Sequence, residues 1–149
     1  MSAKIKTGIR YDDTLSVERP DYENEIIKII QGSYSPKAAQ NMLEDYHGND
    51  IAQVMEQLSR QGRKKLYRIC TEEMLADALE HLEEEDASVY INEMDLKKAA
   101  NVISVMETDT AADILKEIEK EKRSLIIEAL KPEIRNDIRL IASFDEDEI

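Results

Sequence analysis

The sequence predicts an all-α fold, an α-solenoid of about ten short helices stacked as antiparallel hairpins. Three observations predict it. Apolar residues recur with a twelve-residue period, cap residues punctuate that period, and no alternating strand pattern occurs.

A first helix is expected from about Tyr22 to Ile30, ahead of the repeats. The helical template of apolar residues at i, i+3, i+4 and i+7 then fits Ala39, Met42, Leu43 and Tyr46. It fits again at Ile51, Val54, Met55 and Leu58, and at Leu75, Ala78, Leu79 and Leu82. From there it returns every 12 residues, at Ala87, Tyr90, Ile91, Met94, then Ala99, Val102, Ile103, Met106, then Ala111, Ile114, Leu115, Ile118. Two copies keep three of the four positions and place arginine at the first: Arg63, Leu66, Tyr67, Cys70 and Arg123, Ile126, Ile127, Leu130. The span from i to i+7 is about two helical turns, roughly 12 Å. The four residues left in each unit suffice for a tight turn. Helices this short are unstable alone, so each apolar stripe must pack on neighbouring units.

Turn chemistry follows the same rhythm. Ser35 before Pro36 is an N-cap with proline at the first helical position. Asn49, Thr71, Asp95 and Thr108 are further expected N-caps. The run Glu83–Asp86 loads one helix start with charge that favours its dipole. Pro132 is expected to open a last helix carrying Ile134, Ile138 and Ile141. Residues 1–20 lack the period and are expected to be a loose lead-in, with the domain over 21–144 and an acidic linker beginning at 145–149.

Composition narrows the function. The chain has 149 residues, 42% hydrophobic and 5% aromatic, enough for one domain with a modest core. Its 20 Lys and Arg against 33 Asp and Glu leave a formal charge of −13, which repels phosphate backbones and excludes nucleic acid as a partner. Cations and basic protein surfaces suit it better. No apolar h-region follows Lys4, Lys6 and Arg10, and no stretch is long and apolar enough to span a bilayer. Cys70 lies on the apolar stripe and is expected to be a core residue. His47 and His81 have no Cys or second His at ligand spacing and are expected to be exposed or capping residues. Without a phosphate loop or a nucleophile elbow, no enzyme is expected.

The carboxylates are what remain. Asp109 and Asp113 are four apart and share one helix face off the apolar stripe. Asp77 occupies the same phase in its unit that Asp113 occupies 36 residues later. Mg²⁺ takes oxygen ligands and retains waters, so one or two carboxylates can hold it. Such pairs also arise freely in so acidic a chain, as part of a solvated face.

The run Leu75-Ala76-Asp77-Ala78-Leu79-Glu80-His81-Leu82, the segment Thr108-Asp109-Thr110-Ala111-Ala112-Asp113-Ile114-Leu115 and the closing Phe144-Asp145-Glu146-Asp147-Glu148 resemble the cytosolic N-terminal domain of MgtE-type magnesium transporters. The likeness covers residues from about 21 to 149, and its best motif is Asp-x-x-Ala-Asp at 109–113. The resemblance implies a right-handed superhelix that regulates a homodimeric Mg²⁺ channel from the cytoplasmic face of the membrane. It implies CBS domains and a transmembrane pore in the same full-length chain, which would continue where this sequence stops. By position it implies Asp109 and Asp113 as Mg²⁺ ligands, with Asp77 as a further carboxylate, shorter than the glutamate expected there. The leading Asp-Asp of some members is Asp109-Thr110 here, so one carboxylate is absent. Ions bridging this acidic face to the CBS domains would close the pore, and this domain alone, holding half the ligands, would bind Mg²⁺ weakly.

Other classes stay open on the residues. A flagellar rotor switch segment shares short stacked helices, but that family's Glu-His-Pro-Gln motif is absent, since Gly48 and Leu82 follow the two histidines. A helical-repeat adaptor would bind protein through its acidic face with no metal. A soluble protein pairing this domain with CBS domains and no pore is a third.

Overall fold

The computed structural model describes residues 21–142, which form ten α-helices and no strand. The expected lead-in at 1–20, the Phe144–Glu148 run and the linker start at 145–149 lie outside the described residues.

The helices are α1 (Tyr22–Gln31), α2 (Pro36–Leu43), α3 (Gly48–Gln57), α4 (Arg60–Ile69), α5 (Glu72–Leu79), α6 (Glu84–Glu93), α7 (Leu96–Ser104), α8 (Thr108–Lys116), α9 (Lys120–Ala129) and α10 (Pro132–Ile141). From α2 onward each helix begins twelve residues after the one before it. Ser35, Ser59, Thr71 and Asp95 accept from the backbone N–H three residues on, closing one of the orphan donors of their helix.

Two expected caps are corrected. Asn49 is the second residue of α3, whose N-cap is His47, and Thr108 is the first residue of α8, whose N-cap is Glu107. Neither true cap makes a side-chain bond to its helix. The register of the buried stripe, rather than the best local capping residue, sets where these helices start.

The stripe itself is phased differently from the simple two-turn reading. Leu58, Cys70, Met94, Met106, Ile118 and Leu130, each fourth in its unit, lie in the connections between helices, yet all are buried. Some connections are therefore only two residues, such as Leu58-Ser59 and Cys70-Thr71. A position absent from the template is buried as well, the residue after the first: Ala52, Ala76, Ala100, Ala112 and Ser88. Small side chains there let neighbouring helices approach closely.

The two arginines that interrupt the repeat have a structural task. Arg63 Nη1 donates to the Leu58 carbonyl at 2.7 Å, and Arg123 Nη1 to Ile118 at 3.0 Å. Arg135, in the same phase, donates to Leu130 at 3.0 Å. Each ties down the end of the preceding helix, where carbonyls lack intrahelical donors and the dipole favours a cation. Packing joins next-but-one helices: α3, α5, α7 and α9 form one series, and α6, α8 and α10 another. One contiguous core runs from Ile26 to Ala142.

Candidate functional site

Asp109 is exposed in the first turn of α8, and Asp113 is half-buried one turn later on the same face. The fold sets Asp113 against Glu84, the first residue of α6. Lost hydration, then the Asp113 carboxylate at hydrogen-bonding range, push the exposed Glu84 carboxyl above its usual range, with Glu117 and Glu85 adding to the field. A second facing pair lies two residues along α6. Desolvation first, and then hydrogen bonding to Asp86, raise the Glu56 carboxyl at the end of α3. The acidic start of α6 is therefore flanked by carboxylates from α3 and α8.

Glu84, Glu56 and Asp86 were not expected as site residues. Glu83–Asp86 reads in the sequence as dipole compensation alone, and the facing partners come from helices 30 or so residues away. No local signal marks such a pairing.

Asp77 stands elsewhere, on the exposed side of α5. His81 Nε2 lies 3.9 Å from its Oδ1 across one turn. On the other side the carboxylate fills the space a Cβ would need on Gly48, the first residue of α3. A larger residue there would displace the Asp77 carboxylate and crowd the α5 backbone. The contact places negative charge at the positive end of α3, whose N-cap His47 supplies no side-chain bond. Among the described residues no group of three or more His, Cys, Asp or Glu is gathered into a metal-holding set. What the fold offers is pairs of carboxylates open to water, a partial coordination shell for a hard cation that keeps its own waters.

His47 and His81 are both exposed, and Cys70 is 1% exposed, its thiol pushed up to about 12 by burial against the opposing influence of Lys98. A buried thiol held in its neutral form is a core residue and not a nucleophile.

The model of the MgtE intracellular N domain matches residues 46–147. The chain belongs to this family. The described part of the match begins in the connection before α3 and takes in every helix through α10, including both carboxylate pairs and Asp77. The MgtE N domain seen here is also similar in fold to the crystal structure of the soluble part of a magnesium transporter, with a TM-score of 0.66 at 23% identity. That match covers 80% of this chain and 46% of the other, so the present chain spans less than half of it. No curated protein matches the chain. No helix among the described residues is long and apolar enough to cross a membrane.

Proposed function

We propose that this MgtE N domain is the cytosolic Mg²⁺-sensing, regulatory part of a homodimeric magnesium transporter, and that it closes the pore when Mg²⁺ bridges its acidic face to CBS domains of the same protein. The single observation that carries this reading is the facing of Glu84 and Asp113 across α6 and α8. It supports the inclusion of Asp113 and gives Glu84 a part. Asp109, one turn away and exposed, extends the same face, whereas Asp77 has local work at the start of α3.

Two like charges held at close range repel, and a divalent cation between or beside them turns that repulsion into attraction. A ligand moves a conformational equilibrium only through its differential affinity for the two states. Swinging a population from about 1% to about 99% closed takes roughly 10⁴-fold tighter binding to the closed form. Two carboxylates, one exposed and one half-buried, around a hydrated ion fall short of that, so ligands from the opposing domain must complete each site.

The test has two arms. Calorimetry on this chain alone is expected to show weak Mg²⁺ binding, and tight stoichiometric binding would refute the bridging mechanism. In the full-length protein, Asp113→Asn or Asp109→Ala is expected to weaken Mg²⁺-dependent protection from proteolysis. Protection that never responds to Mg²⁺, in the wild type or the variants, would favour a metal-free adaptor instead.

A further inference from the structure

Against a charge of −13, helix α4 stands out: its sequence RQGRKKLYRI carries five cations and no acid. Two of the five have structural roles, since Arg63 is bonded to Glu93 and Leu58, and Lys65 Nζ donates to the Gly32 carbonyl at 3.2 Å. The other three, Arg60, Lys64 and Arg68, are exposed at i, i+4 and i+8, one stripe on one face. Lys64 occupies the position that α3, α5, α7 and α8 fill with a buried alanine. On α4 no helix covers it.

That uncovered position opens onto a groove of about 500 Å³ into which Lys64, Arg68, Lys98 and Lys122 all project. The acids that share it are already occupied. Glu93 accepts from Arg63 at 2.9 and 2.7 Å and from the Tyr67 hydroxyl at 2.7 Å, and Asp95 caps the Lys98 backbone N–H at 2.8 Å. Lys98 and Lys122 each spend one donor on a helix-end carbonyl, Cys70 at 2.9 Å and Met94 at 3.4 Å, and Lys98 Nζ also lies 3.8 Å from the Glu72 carboxylate, so the unengaged charge of the groove is chiefly that of Lys64 and Arg68. Lys64 and Arg68 have no hydrogen bond or ion pair among the described residues.

We infer that this groove is a docking site for an acidic, extended polypeptide segment. Its cations are spread over α4, α7 and α9 rather than converging on a point, so a compact anion meets only one or two of them. Successive cations on α4 are about 6 Å apart along the axis. Alternate side chains of an extended strand are about 6.6 Å apart, so acidic residues on it match that spacing. The site is a recessed groove whose cations stand beside helix-end carbonyls that each keep a second lone pair, which suits a peptide with N–H donors better than a flat anionic membrane. It is separate from the carboxylate face and of opposite sign, so the domain has one surface for cations and another for acidic protein.

The experiment titrates the full chain with three probes and follows backbone amide shifts in α4 and α7. The probes are the peptide Phe-Asp-Glu-Asp-Glu-Ile, which has the sequence of residues 144–149, inorganic phosphate, and phosphatidylglycerol vesicles. Because the chain carries that run itself, a second full-length background has Asp145→Asn, Glu146→Gln, Asp147→Asn and Glu148→Gln. The peptide is expected to shift residues around Lys64, Arg68 and Lys98, with affinity that falls as salt rises. In Lys64→Glu/Arg68→Glu it is expected to bind about tenfold more weakly, at an unchanged melting temperature. If that variant melts early, Lys64→Gln/Arg68→Gln replaces it. Binding by phosphate or vesicles without the peptide, peptide binding that ignores these substitutions, or no response to any probe in either background overturns the inference.

Discussion

The two ends of α6 treat the same chemical group in opposite ways. At the C-terminal end, the Glu93 carboxylate is 9% exposed and is gripped by the Arg63 guanidinium, 2.7 Å away, and by the Tyr67 hydroxyl. Arg63 in turn lies 5.0 Å over the Tyr90 ring. Burial alone would raise the Glu93 carboxyl, but the bonds from Arg63 and Tyr67 outweigh it and hold the group below its usual range. The bond to Glu93 drives the Arg63 guanidinium upward, and burial first, then Glu93, raises the Tyr67 hydroxyl. At the N-terminal end, Glu84 and Asp86 meet other carboxylates, with no ion pair to a cation among the described residues, and the Glu84 and Glu56 carboxyls rise. One end is a closed ion pair that fixes α4 to α6. The other is a set of facing carboxylates whose mutual repulsion is left uncompensated. Acidic composition distinguishes neither; partners do.

The largest expected effect comes from breaking the closed end. Glu93→Gln leaves the Arg63 guanidinium largely buried without its counter-charge and should cost about 3 kcal/mol in urea unfolding. The double variant Arg63→Leu/Glu93→Leu should recover most of that loss, because a buried pair replaced by apolar groups is often neutral. A double variant as unstable as the single would show that the ion pair, together with the Arg63 bond to the Leu58 carbonyl, contributes more than it costs in desolvation.

Acid titration sharpens the contrast. Glu56 and Glu84 have raised folded pKa values, so each opposes folding at neutral pH, and stability should rise as pH falls from 7 through those values. Glu93 has a depressed folded value, so its contribution is complete above the unfolded glutamate pKa of about 4.3 and is lost as pH falls below it. Stability should therefore pass through a maximum on the acid side of neutrality. In Glu56→Gln/Glu84→Gln the rise should be smaller while the fall stays, the remainder of the rise coming from the general repulsion of a chain of charge −13.

The smallest effect is expected at the open end. Asp113→Asn should raise the melting temperature slightly at low salt, and added salt or Mg²⁺ should abolish the difference from wild type. A loss of stability would mean that Asp113 has a structural partner and would remove the contrast between the two ends.

The period of the apolar stripe made ten helices legible, because short helices can fold only by burying that stripe, and the stripe is written into the chain at every turn. Pro36, Thr71, Asp95 and Pro132 marked their helix starts for the same local reason. The repeat shows that arginine replaces the apolar residue at 63 and 123, and only the position of the preceding helix ends shows what the two side chains bond. Asp109 and Asp113 could be put on one face by spacing, and Asp77 could be given the same phase, yet phase says nothing of which neighbour a side chain meets. Asp77 meets Gly48 and His81, and Asp113 meets Glu84. The sequence by itself determined the fold class and the twelve-residue spacing of the helices, since both depend on which residues leave water within a single unit. Only the tertiary structure decided which carboxylates oppose one another and which are neutralised, because electrostatic pairing is set by distance in space between units that the chain places tens of residues apart.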